Sequence, residues 1–172
     1  MRRLILCRVR HTSGEIGEAP DEKEEEVQRF WDFVQDKVRE RLKNEDFGKI
    51  RVYQDFEFEG GSKGLEVVKS LAKKPYERNA QLIVWLAERG ASYMKTEELE
   101  LCREYSEAAS LGRLERMAEL VYERDKEIAK NISETLKDGE LGILFIGADH
   151  SVEKWLPSDI EIEELYDPTL VP

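Results

Sequence analysis

Two short runs of uninterrupted apolar residues, Leu4-Ile5-Leu6-Cys7 and Ile143-Leu144-Phe145-Ile146, constrain this chain more than any other feature. A strand with one face in water alternates apolar and polar residues. A continuous run needs cover on both faces, which is the condition inside a parallel sheet lying between helices. The stretch separating the two runs carries helical periodicity. A capping-box pattern at Asp21 and Glu24 opens a helix whose apolar stripe is Val27, Phe30, Trp31, Val34, Val38 and Leu42.

Alternation at Ile50 and Val52 against Arg51 and Tyr53 predicts a second strand over 49–55, nearer an edge. Gly60-Gly61-Ser62-Lys63-Gly64 reads as a turn into a helix that Pro75 stops, and a third helix runs over 76–89 with Gly90 as its stop. Ala91 to Met94 fits a short strand. Thr96 is placed to cap a helix from Glu97 to about Ala109, with Glu97 and Glu98 in the first turn where the helix dipole favours acids. A longer helix follows over 112–137, and strands over 142–146 and 160–165 close the order. The expected architecture is one α/β domain, 1–172, with a mostly parallel central sheet covered by helices.

Composition narrows the function classes. The 172 residues carry a net charge of −11, which argues against a surface that tracks nucleic-acid phosphates. No segment reaches the roughly 18 consecutive apolar residues of a membrane span, and the N-terminal run is too brief for a signal peptide, so a cytoplasmic location is expected. Cys7 and Cys102 match no zinc or redox spacing and read as buried thiols. Charged residues make up 38%, against only three Asn and four Gln, a usage resembling that of thermophiles. Nothing in the composition decides whether copies of the chain associate.

The only two histidines, His11 and His150, each follow an apolar strand, and ligands bind in open α/β sheets beyond the carboxyl ends of the strands. Neighbouring strands would therefore bring both imidazoles to one pocket. Glu15 lies in the glycine-containing loop after His11. Asp125 interrupts the apolar face formed by Leu114, Met117, Val121, Ile128 and Ile132, so it needs a cation, a metal or donors opposite it. A salt bridge to Arg124 or another arginine, or a cap on a neighbouring loop, would satisfy it structurally, while the functional reading makes it a carboxylate that orients a pocket histidine. Glu97 serves either the helix dipole or the pocket. Tyr53-Gln54-Asp55 shares the crevice if its strand neighbours the first. The glycine turn at 60–64 lacks the phosphate-loop spacing, and no Gly-x-Ser-x-Gly elbow is present.

With His11, Glu15, Glu97, Arg124-Asp125-x-x-Ile128-Ala129 and Gly147-Ala148-Asp149-His150 in view, the chain resembles the TraB/TIKI-type superfamily, which includes erythromycin-esterase-like and haem-binding members. The resemblance is densest over 124–150 and extends to a prokaryotic branch with a His-Thr-x-x-Glu loop near the N-terminus. It implies two Gly-x-x-His motifs and an acidic residue assembling a metal-dependent hydrolytic site. Here the second motif is intact, while the first reads Arg8-Val9-Arg10-His11, with arginine in the glycine position.

The leading expectation is a metal-dependent hydrolase acting on a small molecule or peptide. His11, His150 and Glu15 would hold a divalent metal ion, Glu15 doubling as general base. Asp125 would support the histidine, Arg124 would stabilise negative charge, and Glu97 would face the pocket. The alternative is a non-catalytic module that holds a small ligand, haem or an anion in the same crevice, with Arg10 and Arg124 suited to the anion.

Overall fold

The computed structural model describes residues 1–9 and 24–165. Its strands are β1 (Arg2–Val9), β2 (Ile50–Gln54), β3 (Ser92–Tyr93), β4 (Leu141–Gly147) and β5 (Ile160–Leu165). They form one sheet in the order β3-β2-β4-β1-β5, and every pairing is parallel. The fold class expected from the two apolar runs is therefore present, and those runs are its central neighbours, with Ile5 in register with Ile143 and Val9 with Gly147.

The helices are α1 (Glu24–Arg41), α2 (Gly61–Leu71), α3 (Arg78–Glu88), α4 (Leu99–Ser110) and α5 (Leu114–Thr135). Strand alternation divides the core in two. Ile5, Cys7, Val9, Ile50, Val52, Ile143 and Phe145 face α1, α2 and α3. Leu4, Leu6, Tyr53, Leu144 and Ile146 face Ile128, Ala129 and Ile132 of α5. Both faces of β1 and β4 are covered, which explains why their sequences do not alternate. Gly142 permits the close approach on the α5 side, where a Cβ would come within 2.6 Å of the Leu4 side chain.

The connections fix where a ligand can sit. β1 and β2 are followed by helices on one face, whereas β4, which lies between them, is followed by the short turn Val152–Lys154 that packs in the α5 layer. The chain thus parts to opposite faces around the carboxyl end of β4, which makes a topological switch crevice there. Among the described residues, no helix is long and apolar enough to cross a membrane.

Three local expectations need correction. Thr96 does not cap a helix: its hydroxyl donates to the carbonyls of Gln54 and Glu57, and α4 starts only after Glu98. Pairing of the β2 and β3 exits outcompeted the local cap. The apolar face of α5 is core only in its second half, because Leu114 is 75% exposed where the helix runs past the sheet. By alternation Arg8 and Arg10 share a strand face, which predicts pairing with Asp125, Glu15 or Glu97; Arg8 instead donates to the His150 carbonyl and pairs with Glu153 and Glu164, which the turn after β4 and edge strand β5 bring close, while Arg10 lies outside the described residues.

Candidate functional site

β2, β3 and β4 deliver polar side chains to the crevice at their carboxyl ends. His150 follows Gly147 by a tight turn in which its amide donates to the Gly147 carbonyl at 3.3 Å. The turn folds the imidazole back against α5, where Asp125 Oδ1 lies 2.5 Å from Nδ1 and Asp125 Oδ2 accepts the Ser151 amide at 2.8 Å. Asp125 is 3% exposed and His150 6%. Of the alternatives for Asp125, the structure therefore shows both the histidine partner and the loop cap, and no arginine. A carboxylate accepts only, so Nδ1 carries a proton, and in the neutral imidazole Nε2 keeps its lone pair.

Nε2 faces the exit of β2, 3.8 Å from Asp55 Oδ2. Asp55 Oδ2 also accepts the Gly147 amide at 3.1 Å. Burial raises the pKa of Asp55 above the ordinary carboxylate value, against the opposing pull of the Gly147 amide and His150. Asp55 is the member that sequence reasoning weighed without assigning a role. Its signal was position, an acid directly after a strand that neighbours β4.

Glu97 and Arg124 form a second unit. Arg124 donates from Nε to Glu97 Oε2 at 2.6 Å and from Nη2 to Oε1 at 2.9 Å, with both side chains essentially inaccessible. Burial alone would lower the arginine pKa, but pairing with Glu97 reverses the sign and holds the guanidinium charged. Its plane is covered by Phe56, 4.0 Å from the ring centre, and by Tyr105 at 4.8 Å. Phe56 is the one non-glycine residue with positive φ, at 59°, among the described residues. That conformation lets its amide donate to Glu97 Oε1 at 2.7 Å while its ring lies on the arginine. Asp55 feels both Glu97 and Arg124 as well as His150, so the two units share one electrostatic neighbourhood.

His11 and Glu15 lie outside the described residues. Val9, the last described residue before them, is paired with Gly147, so β1 and β4 reach the same edge of the sheet together. The glycine turn carries no open anion cradle. The amides of Glu59 and Gly60 both donate to Glu57 Oε1, at 2.9 and 2.7 Å, so a built-in carboxylate occupies the place a phosphate would take. Neither cysteine offers a nucleophile: burial pushes Cys102 up to about 12 and Cys7 higher still.

The arrangement fits one metal-binding pattern in part. Metal-ligating histidines usually give their other ring nitrogen to a carboxylate, as Asp125 holds His150 here. Two donors each about 2.1 Å from a shared tetrahedral ion stand about 3.4 Å apart, close to the His150–Asp55 separation. Among the described residues, no group of three or more His, Cys, Asp or Glu side chains is arranged to hold a metal. No protein-family model, curated protein or solved structure matches the chain.

Proposed function

We propose that the crevice at the carboxyl end of β4 is the site of a metal-dependent hydrolase, in line with the superfamily resemblance. His150 Nε2 and Asp55 Oδ2 would be two of the metal ligands, and His11 and Glu15 from the segment after β1 would complete the set. The observation that carries this reading is the histidine held at Nδ1 by a buried aspartate, with Nε2 aimed at a second acid 3.8 Å away. A divalent ion held there supplies Lewis acidity to the scissile carbonyl and makes water nucleophilic near neutral pH. Asp125 would fix the ring plane, and a bound ion would offset the desolvation of Asp55.

Glu97 and Arg124 take a different task in this reading. Their mutual pairing leaves no net charge to stabilise a developing anion, so they brace the Asp55–Phe56 exit instead. The same pairing removes Arg124 from the alternative of an anion-binding module, since Glu97 consumes it; Arg10, the other arginine of that alternative, lies outside the described residues.

Metal analysis of untagged protein tests the reading, together with hydrolysis of small ester, amide and peptide substrates. Near-stoichiometric divalent metal in the wild type, lost in His150→Ala along with metal-dependent hydrolysis, is the expected result. Wild-type protein that retains no metal on dialysis against zinc or manganese, or hydrolysis unaffected by His150→Ala, rejects it. A Soret band would favour the haem alternative.

A further inference from the structure

The outer side of α5 carries a second surface feature. Tyr122, Lys126, Ala129, Lys130 and Ser133 follow at steps of three and four residues, so they share one side of the helix. The segment after β4 stands opposite. Trp155 and Pro157 face Lys126, Ala129, Lys130 and Ser133 across a groove of about 270 Å³. Its far end lies at the amino edge of the sheet, where Arg2 of β1 donates to the Ser133 carbonyl at 2.7 Å, away from the edge that carries His150.

The groove is lined by side chains that commonly anchor partners. Trp155 is 38% exposed and Tyr122 51%, and the two rings meet edge to face at 5.0 Å. Lys126 Nζ lies 4.2 Å from the centre of the Tyr122 ring and 4.7 Å from that of Trp155. Among the described residues Lys126 has no carboxylate partner; its contacts are the two rings.

Charge decides what the groove takes. The chain has 38 acidic residues against 27 Lys and Arg, yet two lysines and no acid line this groove. Neighbouring acids are turned elsewhere: Glu119 and Glu123 pair with Arg116, and Asp159 with Arg2. Glu127 pairs with Lys130 at 3.3 Å, but the Lys130 side chain is 58% exposed, and an exposed pair holds its cation weakly. A cationic group would meet two ammonium groups here, whereas an acidic one gains both. Spacing decides the form of the occupant. Lys126 and Lys130 are one turn apart, about 6 Å along the axis, close to the roughly 6.6 Å between alternate side chains of an extended strand. The side chains between them point to the opposite wall. We propose that the groove between α5 and residues 155–157 docks an extended segment of a partner protein in which acidic and apolar residues alternate. The acids meet Lys126 and Lys130, and the apolar residues lie on Trp155 and Pro157. From Tyr122 to Ser133 the stripe is about 16 Å long, which accommodates about five extended residues. The inference is independent of the hydrolase reading.

The test follows fluorescence anisotropy of a dye-labelled, amidated peptide, Glu-Leu-Glu-Leu-Glu, titrated with the full chain. It should bind with a Kd below about 1 mM, against the repulsion of an acidic protein. Gln-Leu-Gln-Leu-Gln should bind about tenfold more weakly through loss of charge, and Glu-Ser-Glu-Ser-Glu about tenfold more weakly through loss of apolar contact. Lys126→Glu should weaken Glu-Leu-Glu-Leu-Glu by about tenfold or more; the exposure of Lys126 makes the change compatible with the fold, which circular dichroism checks. No binding of the acidic peptide below about 1 mM, equal binding of either control peptide, or binding unchanged by Lys126→Glu overturns the proposal. So does displacement by inorganic phosphate, at matched ionic strength, as effective as displacement by unlabelled peptide, because the groove would then hold any small anion. A wild-type dimer that Lys126→Glu converts to monomer also overturns it, since the occupant would then be a second copy of the chain.

Discussion

Asp125 shows what one side chain does for the crevice. Its two carboxylate oxygens serve the His150 ring and the Ser151 amide, both in places water does not reach freely. Asp125→Ala strands two donors, each costing about 1–3 kcal/mol when buried and unmet, so a loss of roughly 3 kcal/mol is expected in denaturant titration. Asp125→Asn keeps an acceptor for one of them and should lose about half as much. An unchanged midpoint for the alanine variant would show that the His150 turn is not held this way. Glu140 gives the acid-pH counterpart. Burial would raise its pKa, but paired donors from Arg51 and the Lys137 amide pull it below the ordinary 4.5. Since the folded value is the lower one, the native state binds fewer protons across that window. The stabilisation is complete above pH 4.5 and is lost as pH falls through the folded value. Glu140→Gln should lower stability by roughly 1–2 kcal/mol at pH 7 and flatten the stability loss below pH 4.5, read from urea midpoints against pH. An acid limb parallel to that of the wild type would refute the assignment.

At the level of elements, the β2 and β3 exits are joined by backbone more than by side-chain packing. Thr96 and Glu97 amides both donate to the Glu57 carbonyl, and Gly60 lies so close that a Cβ would stand 2.5 Å from the Lys95 nitrogen. Gly60 also sits at φ 66°, ψ −176°, a region essentially reserved for glycine. Gly60→Ala should therefore cost more than the roughly 1–3 kcal/mol of strain alone and loosen the Glu97–Arg124 unit. Gly61→Ala, with positive φ but nothing within 4 Å of the added carbon, should cost only about 1 kcal/mol. Equal thermal shifts for the two variants would contradict the close approach. These exits were also the least legible part of the sequence. β1, β4 and β5 were readable because apolar runs and alternation report burial directly, and the α1 stripe reported its face equally well. Thr96-Glu97-Glu98 looked like a helix start because capping is a local rule. A carbonyl 39 residues away on the neighbouring strand exit captured the threonine instead, at 3.1 Å. Asp125 stood out because it breaks an apolar stripe, but the identity of its partner depended on a turn that no periodicity encodes. Phe56 carried no signal at all, since positive φ at a phenylalanine is imposed by tertiary contacts.

Across the whole molecule, the covered sheet and the overhanging α4–α5 hairpin are joined by one continuous helix. Below Asp125, α5 lies on Leu4, Leu6, Leu144 and Ile146; above it, the helix leaves the sheet and packs on α4, with Tyr122 meeting the Trp155 ring at 5.0 Å. Local opening follows the number of buried apolar partners lost, so resistance to exchange should be graded along α5 rather than uniform. Amide hydrogen exchange should be slowest in β4 and in residues 128–132, which share the sealed layer. It should be faster by at least tenfold in 114–120, although both stretches are regular helix. The His150–Asp125 contact sits at that boundary, so it is anchored to the rigid half. Uniform protection along α5 in the unliganded protein would mean that α4 alone is sufficient support, and that the hairpin and the sheet open as one unit.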